Sequence, residues 1–211
     1  MIGAYIVGSL GQLLYKLHRG HYFLRRKYSS FLFCHAVGKC GSGTDIMPEF
    51  RIEGGKYIAI GSHFTARNGL RLEAWDQYKN DSYTPMIWIG DHVNVGEHCH
   101  IGAVRKIMIG NHVLMGSKVY ITDHHHGTTA MDDLEKHPAD RALYSKGSVI
   151  IEDNVFIGDQ VVIMPGVKIG HNSVIAASTV VTKSVPPFSV VCGIPGKRIR
   201  ECSARENFGD Q

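Results

Sequence analysis

Apolar residues recur along this chain with two different periods, and the change from one to the other divides it. Near the start, Ile2, Ile6, Leu10, Leu13, Leu14 and Leu17 return at helical spacing, which predicts an amphipathic helix. A second helix is expected over residues 22–33. From residue 46 the interval becomes six. Aliphatic side chains stand at Ile89, Val95 and Ile101, at Ile109, Met115 and Ile121, and then at Ile151, Ile157, Ile163, Ile169, Ile175 and Val181. A second apolar or small residue often follows four places later, as at Val93, Val113, Val119, Val155, Val161, Val167 and Thr179. A weaker echo runs through Ile46, Phe50, Ile52, Ile60 and Phe64.

A period of six suits neither a helix of about 3.6 residues per turn nor a strand pair with long loops. It suits a parallel β-solenoid of triangular coil, with one hexapeptide on each side. The aliphatic residue points inward, a small residue relieves the corner, and Asn, Asp or His occupies turns where positive φ is tolerated. Coils then stack about 4.8 Å apart through backbone ladders, burying the aliphatic residues in columns. The expected division is a helical N-terminal segment over 1–45, a solenoid over 46–190 interrupted by a loop at 122–148, and a tail over 191–211.

Composition narrows the class further. The chain has 211 residues, 44% apolar and 20% charged, as ordinary globular proteins do. Its formal charge of +4 is unevenly placed, in clusters at Arg25, Arg26 and Lys27 and at Lys197, Arg198 and Arg200. There is no basic base-reading helix and no aromatic RNP-like strand, so no nucleic-acid partner is expected. The cysteines at 34, 40, 99, 192 and 202 form no CxxC, which predicts reduced thiols in a cytoplasmic protein. The first 17 residues lack a basic n-region and a cleavage site, and are too short and too interrupted to cross a bilayer.

The repeat, of the form [LIV]-[GAED]-x-x-[STAV]-x, resembles the left-handed β-helix of the hexapeptide-repeat acyltransferases. "VFIGDQVVIMPGVKIGHNSVIAASTVVTKSVPPFSVVCGIPGKRI" is similar to the signature of the sugar and polysaccharide O-acetyltransferases, the maltose and galactoside enzymes among them. The resemblance covers roughly residues 50–200 and leaves the N-terminal helices outside. It implies an acetyl-CoA-dependent transferase with a saccharide acceptor from a surface-polysaccharide or lipid-linked pathway, no required metal, and a homotrimer with its sites between subunits.

The family's catalytic histidine lies in a loop like the one that breaks the register here, "TDHHHG". The resemblance places the base five residues after the last inward aliphatic, which selects His126, with His124 second if the register slips. An imidazole of ordinary pKa about 6.5 can take the proton of an attacking hydroxyl at neutral pH. Asp123 or Glu97 could orient it. The family's acceptor-side Asn falls on Gly96, leaving Glu97, His98 and Asp123 as substrate-side candidates. The phosphates of coenzyme A need cations and backbone donors; the matching positions are Ala177, Thr182, Lys183, Lys197 and Arg200.

Two other readings remain. His92, His98, His100 and His112 raise a zinc site like that of the γ-class carbonic anhydrases, which would need three converging imidazoles. A non-catalytic solenoid scaffold is the other, though it would need neither the loop histidine nor the C-terminal cations. Residues 1–27 suit either a cap over the first coil or contact with an anionic bilayer, which would put the enzyme at the inner face of the membrane.

Overall fold

The computed structural model describes residues 2–201, with side chains described from residue 11 to residue 200. It is a left-handed β-helix. The first coil contributes strands Lys39–Cys40, Asp45–Ile46 and Arg51–Glu53, and the second Ile58–Ile60, Thr65–Ala66 and Arg71–Ala74. The third takes Ile87–Ile89, Asn94–Val95 and His100–Ala103, and the fourth Ile107–Ile109, Leu114–Met115 and Tyr120–Thr122. After a long loop the fifth takes Val149–Ile151, Phe156–Ile157 and Val162–Ile163, and the sixth Lys168–Ile169, Val174–Ile175 and Val180–Val181. The first strands of successive coils pair in parallel to make one face, the second strands another and the third strands a third. Ser189–Cys192 extends the second face in parallel, and Lys197–Glu201 folds back on it antiparallel.

Side-chain alternation along each short strand puts the hexad aliphatics inside. Ile60, Ile89, Ile109, Ile151 and Ile169 stack in register behind the first face, and Leu72, Ile101, Ile121, Ile163 and Val181 behind the third. All ten are at most 1% exposed, so they form the continuous core that a single coil could not build alone. At the corner between the first and second faces, His63, His92 and His112 take φ of 56–57°. Their rings stack at 4.7 and 5.0 Å, so these histidines serve as turn residues.

The first coil begins at Lys39, ahead of the expected boundary at residue 46. The two expected N-terminal helices are one, α1 (Ile2–Ala36). Gly20 costs a helix interior only about 1 kcal/mol and no proline intervenes, so nothing in "HRGHY" stops it. The last turns of α1 cover the first coil: Phe33 is fully buried, stacked on Phe64 at 5.9 Å and edge-on to Phe50 at 5.4 Å. The cysteines are not all reduced thiols. Cys34 and Cys40 are joined by a disulfide, because the turn out of α1 brings their Cα atoms within 5.2 Å.

Three departures from the coil share one edge of the prism, between the third and first faces. Residues 75–86 carry the hairpin Gln77–Tyr78 and Asp81–Ser82, residues 104–106 form a small bulge, and residues 123–148 form the long loop. The hairpin segment holds the loop: the Tyr78 hydroxyl donates to the Ala139 carbonyl at 2.8 Å, and the Leu143 N–H donates to the Tyr83 hydroxyl at 2.9 Å. Lys79 pairs with Asp140 across the same gap.

Candidate active site

The loop leaves the fourth coil at Asp123, and this residue organises the edge. Asp123 is completely buried. Its carboxylate accepts the backbone N–H groups of Val104, Arg105 and Lys106 at 2.9, 2.9 and 2.6 Å, capping the small bulge one coil below. It also receives Nδ1 of His124 at 3.0 Å. Thr122 braces the same turn, its hydroxyl taking the His124 N–H at 3.2 Å and donating to the His124 carbonyl at 3.0 Å. With Nδ1–H engaged by the carboxylate, the tautomer that results carries its lone pair on Nε2. His124 is thus an imidazole with a buried orienting partner, the arrangement a general base requires.

The other loop histidines are placed differently. His125 and His126 form a two-residue strand antiparallel to Leu143–Tyr144. The His126 ring is exposed, edge-on to Tyr78 at 5.2 Å. His125 turns to Tyr144 at 5.6 Å, and burial holds its ring below the ordinary pKa. Of the three, His124 is the one held by a buried carboxylate, whereas counting five from Ile121 arrives at His126.

A charged cluster that the hexad pattern did not reveal lies beside His124. Glu73, buried on the third face of the second coil, receives Arg71 at 2.8 and 3.2 Å and Nε2 of His100 at 3.0 Å. Burial alone would raise the Glu73 carboxyl, but Arg71 and His100 outweigh it and hold it below the ordinary value. For His100, burial and the Arg71 charge lower the ring's pKa against the pull of Glu73. Gly102 keeps space between the two histidines: a Cβ there would stand 3.5 Å from both His100 Nε2 and His124 Cε1. Only the position of Glu73 next to the inward Leu72 hints at this cluster in the sequence.

The remaining expected site residues divide into groups. Thr182, Lys183 and Lys197 line one cleft of about 360 Å³, with Arg198, Pro186 and Pro195. Thr122 ends one strand of the third face and Thr182 follows another two coils on, so this cleft lies about 10 Å along the edge from His124. Arg200 is on the terminal strand opposite Val190, and Ala177 sits exposed at the corner between the second and third faces. Glu97 and His98 lie at that corner too, across the third face from His124, so a single chain does not bring them to the base. Asp123, expected on the substrate side, is completely buried and engaged by backbone N–H groups and His124. Among the described residues, no three His, Cys, Asp or Glu side chains converge as a metal site would require.

Comparison with known proteins adds to this geometry. Residues 148–183 match the family described as "Bacterial transferase hexapeptide (six repeats)". WbbJ of Escherichia coli (strain K12), whose name assigns it to lipopolysaccharide biosynthesis as an O-acetyl transferase, is 34% identical over 147 residues, 68% of this chain and 71% of its own. The galactoside O-acetyltransferase of the same organism is 36% identical over 130 residues, 59% of each chain. The crystal structure of VCA0836 from Vibrio cholerae, a hexapeptide-repeat acetyltransferase complexed with acetyl coenzyme A, superposes with a TM-score of 0.56. It is 28% identical, over 82% of this chain and 75% of that one.

Proposed function

The chain belongs to the hexapeptide-repeat acetyltransferases, and from that premise we propose that it moves an acetyl group from acetyl-CoA to a hydroxyl of a saccharide, with His124 as general base. The observation that carries the proposal is the shared edge. A histidine held by a buried carboxylate and a cleft lined by Lys183, Lys197 and Arg198 lie on it about 10 Å apart. The cations and nearby backbone suit the phosphates of coenzyme A, and the pantetheine arm runs along the edge toward His124.

The acceptor approaches over Gly102, where the missing side chain leaves room between His100 and His124. Nε2 of His124 takes the hydroxyl proton as that oxygen bonds to the thioester carbonyl carbon. The carbon–sulfur bond then breaks, and the proton passes from His124 to the departing thiolate. Asp123 holds the imidazole tautomer and stabilises its charged form. Glu73, Arg71 and His100 supply fixed polar partners for further sugar hydroxyls. A saccharide acceptor is supported by the names of the WbbJ and galactoside relatives. Acetyl-CoA as donor supports a cytoplasmic reaction, and the resemblance of the repeat supports a homotrimer.

Release of the coenzyme A thiol, followed with a panel of mono- and oligosaccharides, tests the reading. Acetyl ester formed on a sugar hydroxyl is the expected product. Turnover absent on every saccharide, or lost to a chelator and restored by zinc, would refute it.

A further inference from the structure

We infer that the outward face of α1 docks this protein on the surface of an anionic lipid bilayer. The helix is about 52 Å long, far longer than covering one coil requires. Its packed side is short and near the C-terminal end: Ser29, Ser30 and Phe33 are buried against the solenoid. On the opposite side Leu13, Leu17, Leu24, Tyr28 and Phe31 fall at helical spacing along one stripe and are 53–67% exposed. Every residue from 11 to 25 is exposed, and a Cβ placed on Gly11 or Gly20 would meet nothing within 4 Å. An apolar stripe of this length exposed to water has a cost that a partner must offset.

Charge identifies the partner. Lys16 and Lys27 edge one side of the stripe and Arg25 the other, as helical spacing places them. The helix contains no Asp or Glu, and the first acidic residue of the chain, Asp45, is taken by Arg26. A bundle with α1 of a second copy would face cation with cation and have no carboxylates at its flanking positions. Anionic lipid headgroups meet the same cations favourably while the acyl boundary takes the stripe. Among the described residues no helix is long and apolar enough to cross a membrane, so α1 lies in the interface. His124 stands three rungs from the first coil, about 14 Å, which suits a saccharide carried on a membrane lipid. That last consequence rests on the proposed acceptor; the docking itself does not.

Co-sedimentation of the full chain with vesicles of pure phosphatidylglycerol, against vesicles of pure phosphatidylcholine, tests the inference. Binding is expected to the first, weakened by salt. Leu17→Glu or Leu24→Glu should lower it at least about tenfold each, and Lys16→Glu or Arg25→Glu at least about fivefold each. Circular dichroism and thiol release with a soluble sugar should be unchanged in all four. Absence of binding to phosphatidylglycerol, or binding that the leucine variants leave intact, overturns the inference. So does a wild-type oligomer that Leu17→Glu dissociates, because the stripe would then belong to a second copy. Failure of the acceptor reading would show instead as lost activity with vesicle binding retained.

Discussion

His124 differs from its two neighbours by what holds it. An imidazole tied through Nδ1 to a fully buried carboxylate keeps one orientation, whereas His126 is exposed against an aromatic edge. Replacing His124 with Ala should lower kcat about 10²- to 10⁴-fold while the KM for acetyl-CoA changes little, since the ring acts on the acceptor proton. His126→Ala should keep most of the activity. Steady-state kinetics of the two variants decide between them, and a large loss in His126→Ala alone would exchange their roles. Asp123→Asn should cost about 1–3 kcal/mol in stability, because an amide presents donors to backbone N–H groups that need an acceptor. It should also lower kcat while leaving the KM for acetyl-CoA little changed, a split that mere loss of folding would not give.

At the level of the elements, stability lies in the joints between successive coils. Glu152 of the fifth coil accepts from Lys168 of the sixth at 2.7 Å, and from both the ring and the backbone N–H of His171. The Lys168 and His171 contacts hold its carboxyl at about 2, against an ordinary 4.5. A depressed carboxyl stabilises the fold fully above its ordinary value and loses that contribution as pH falls from 4.5 toward 2. Glu152→Gln should therefore lower the melting temperature at neutral pH and flatten its fall on the acid side, as calorimetry across that range would show. At the other end, Phe33 seals the first coil under α1. Phe33→Ala should cost about 3–5 kcal/mol, read from the midpoint of urea unfolding. A change below 1 kcal/mol, by contrast, would mean that α1 does not cover the coil in solution.

For the molecule as a whole, the exposed outer column of the second face turns apolar along its length, from Thr65 and Asn94 to Leu114 and Phe156. Leu114 is 48% and Phe156 43% exposed, and they lie side by side in this column. Burial of this strip between copies would suit the proposed homotrimer. Light scattering at micromolar protein should give three times the chain mass of 23.3 kDa. Leu114→Glu should shift that mass downward, and a monomeric, fully active wild type would defeat the trimer.

The hexads alone determined the solenoid, because an inward position every six residues leaves a mark in residue type at each corner and column. The strands from Ile87 to Val181 follow that mark directly. The break between Ile121 and Val149 likewise located the loop, and the residues of the C-terminal cleft were legible as cations after the last repeat. Tertiary structure decided what has no period. Counting along "TDHHHG" presumes an extended chain, but the carboxylate of Asp123 turns inward to backbone donors one coil away, and this contact sets His124 apart from its neighbours. Glu73 meets His100 only because the parallel register sets Arg71, two residues before it, beside His100 on the adjacent coil. The same holds for α1: its composition allowed both a cap and a bilayer contact, and only burial showed that its last turns cover the coil while the stripe on its other side faces outward.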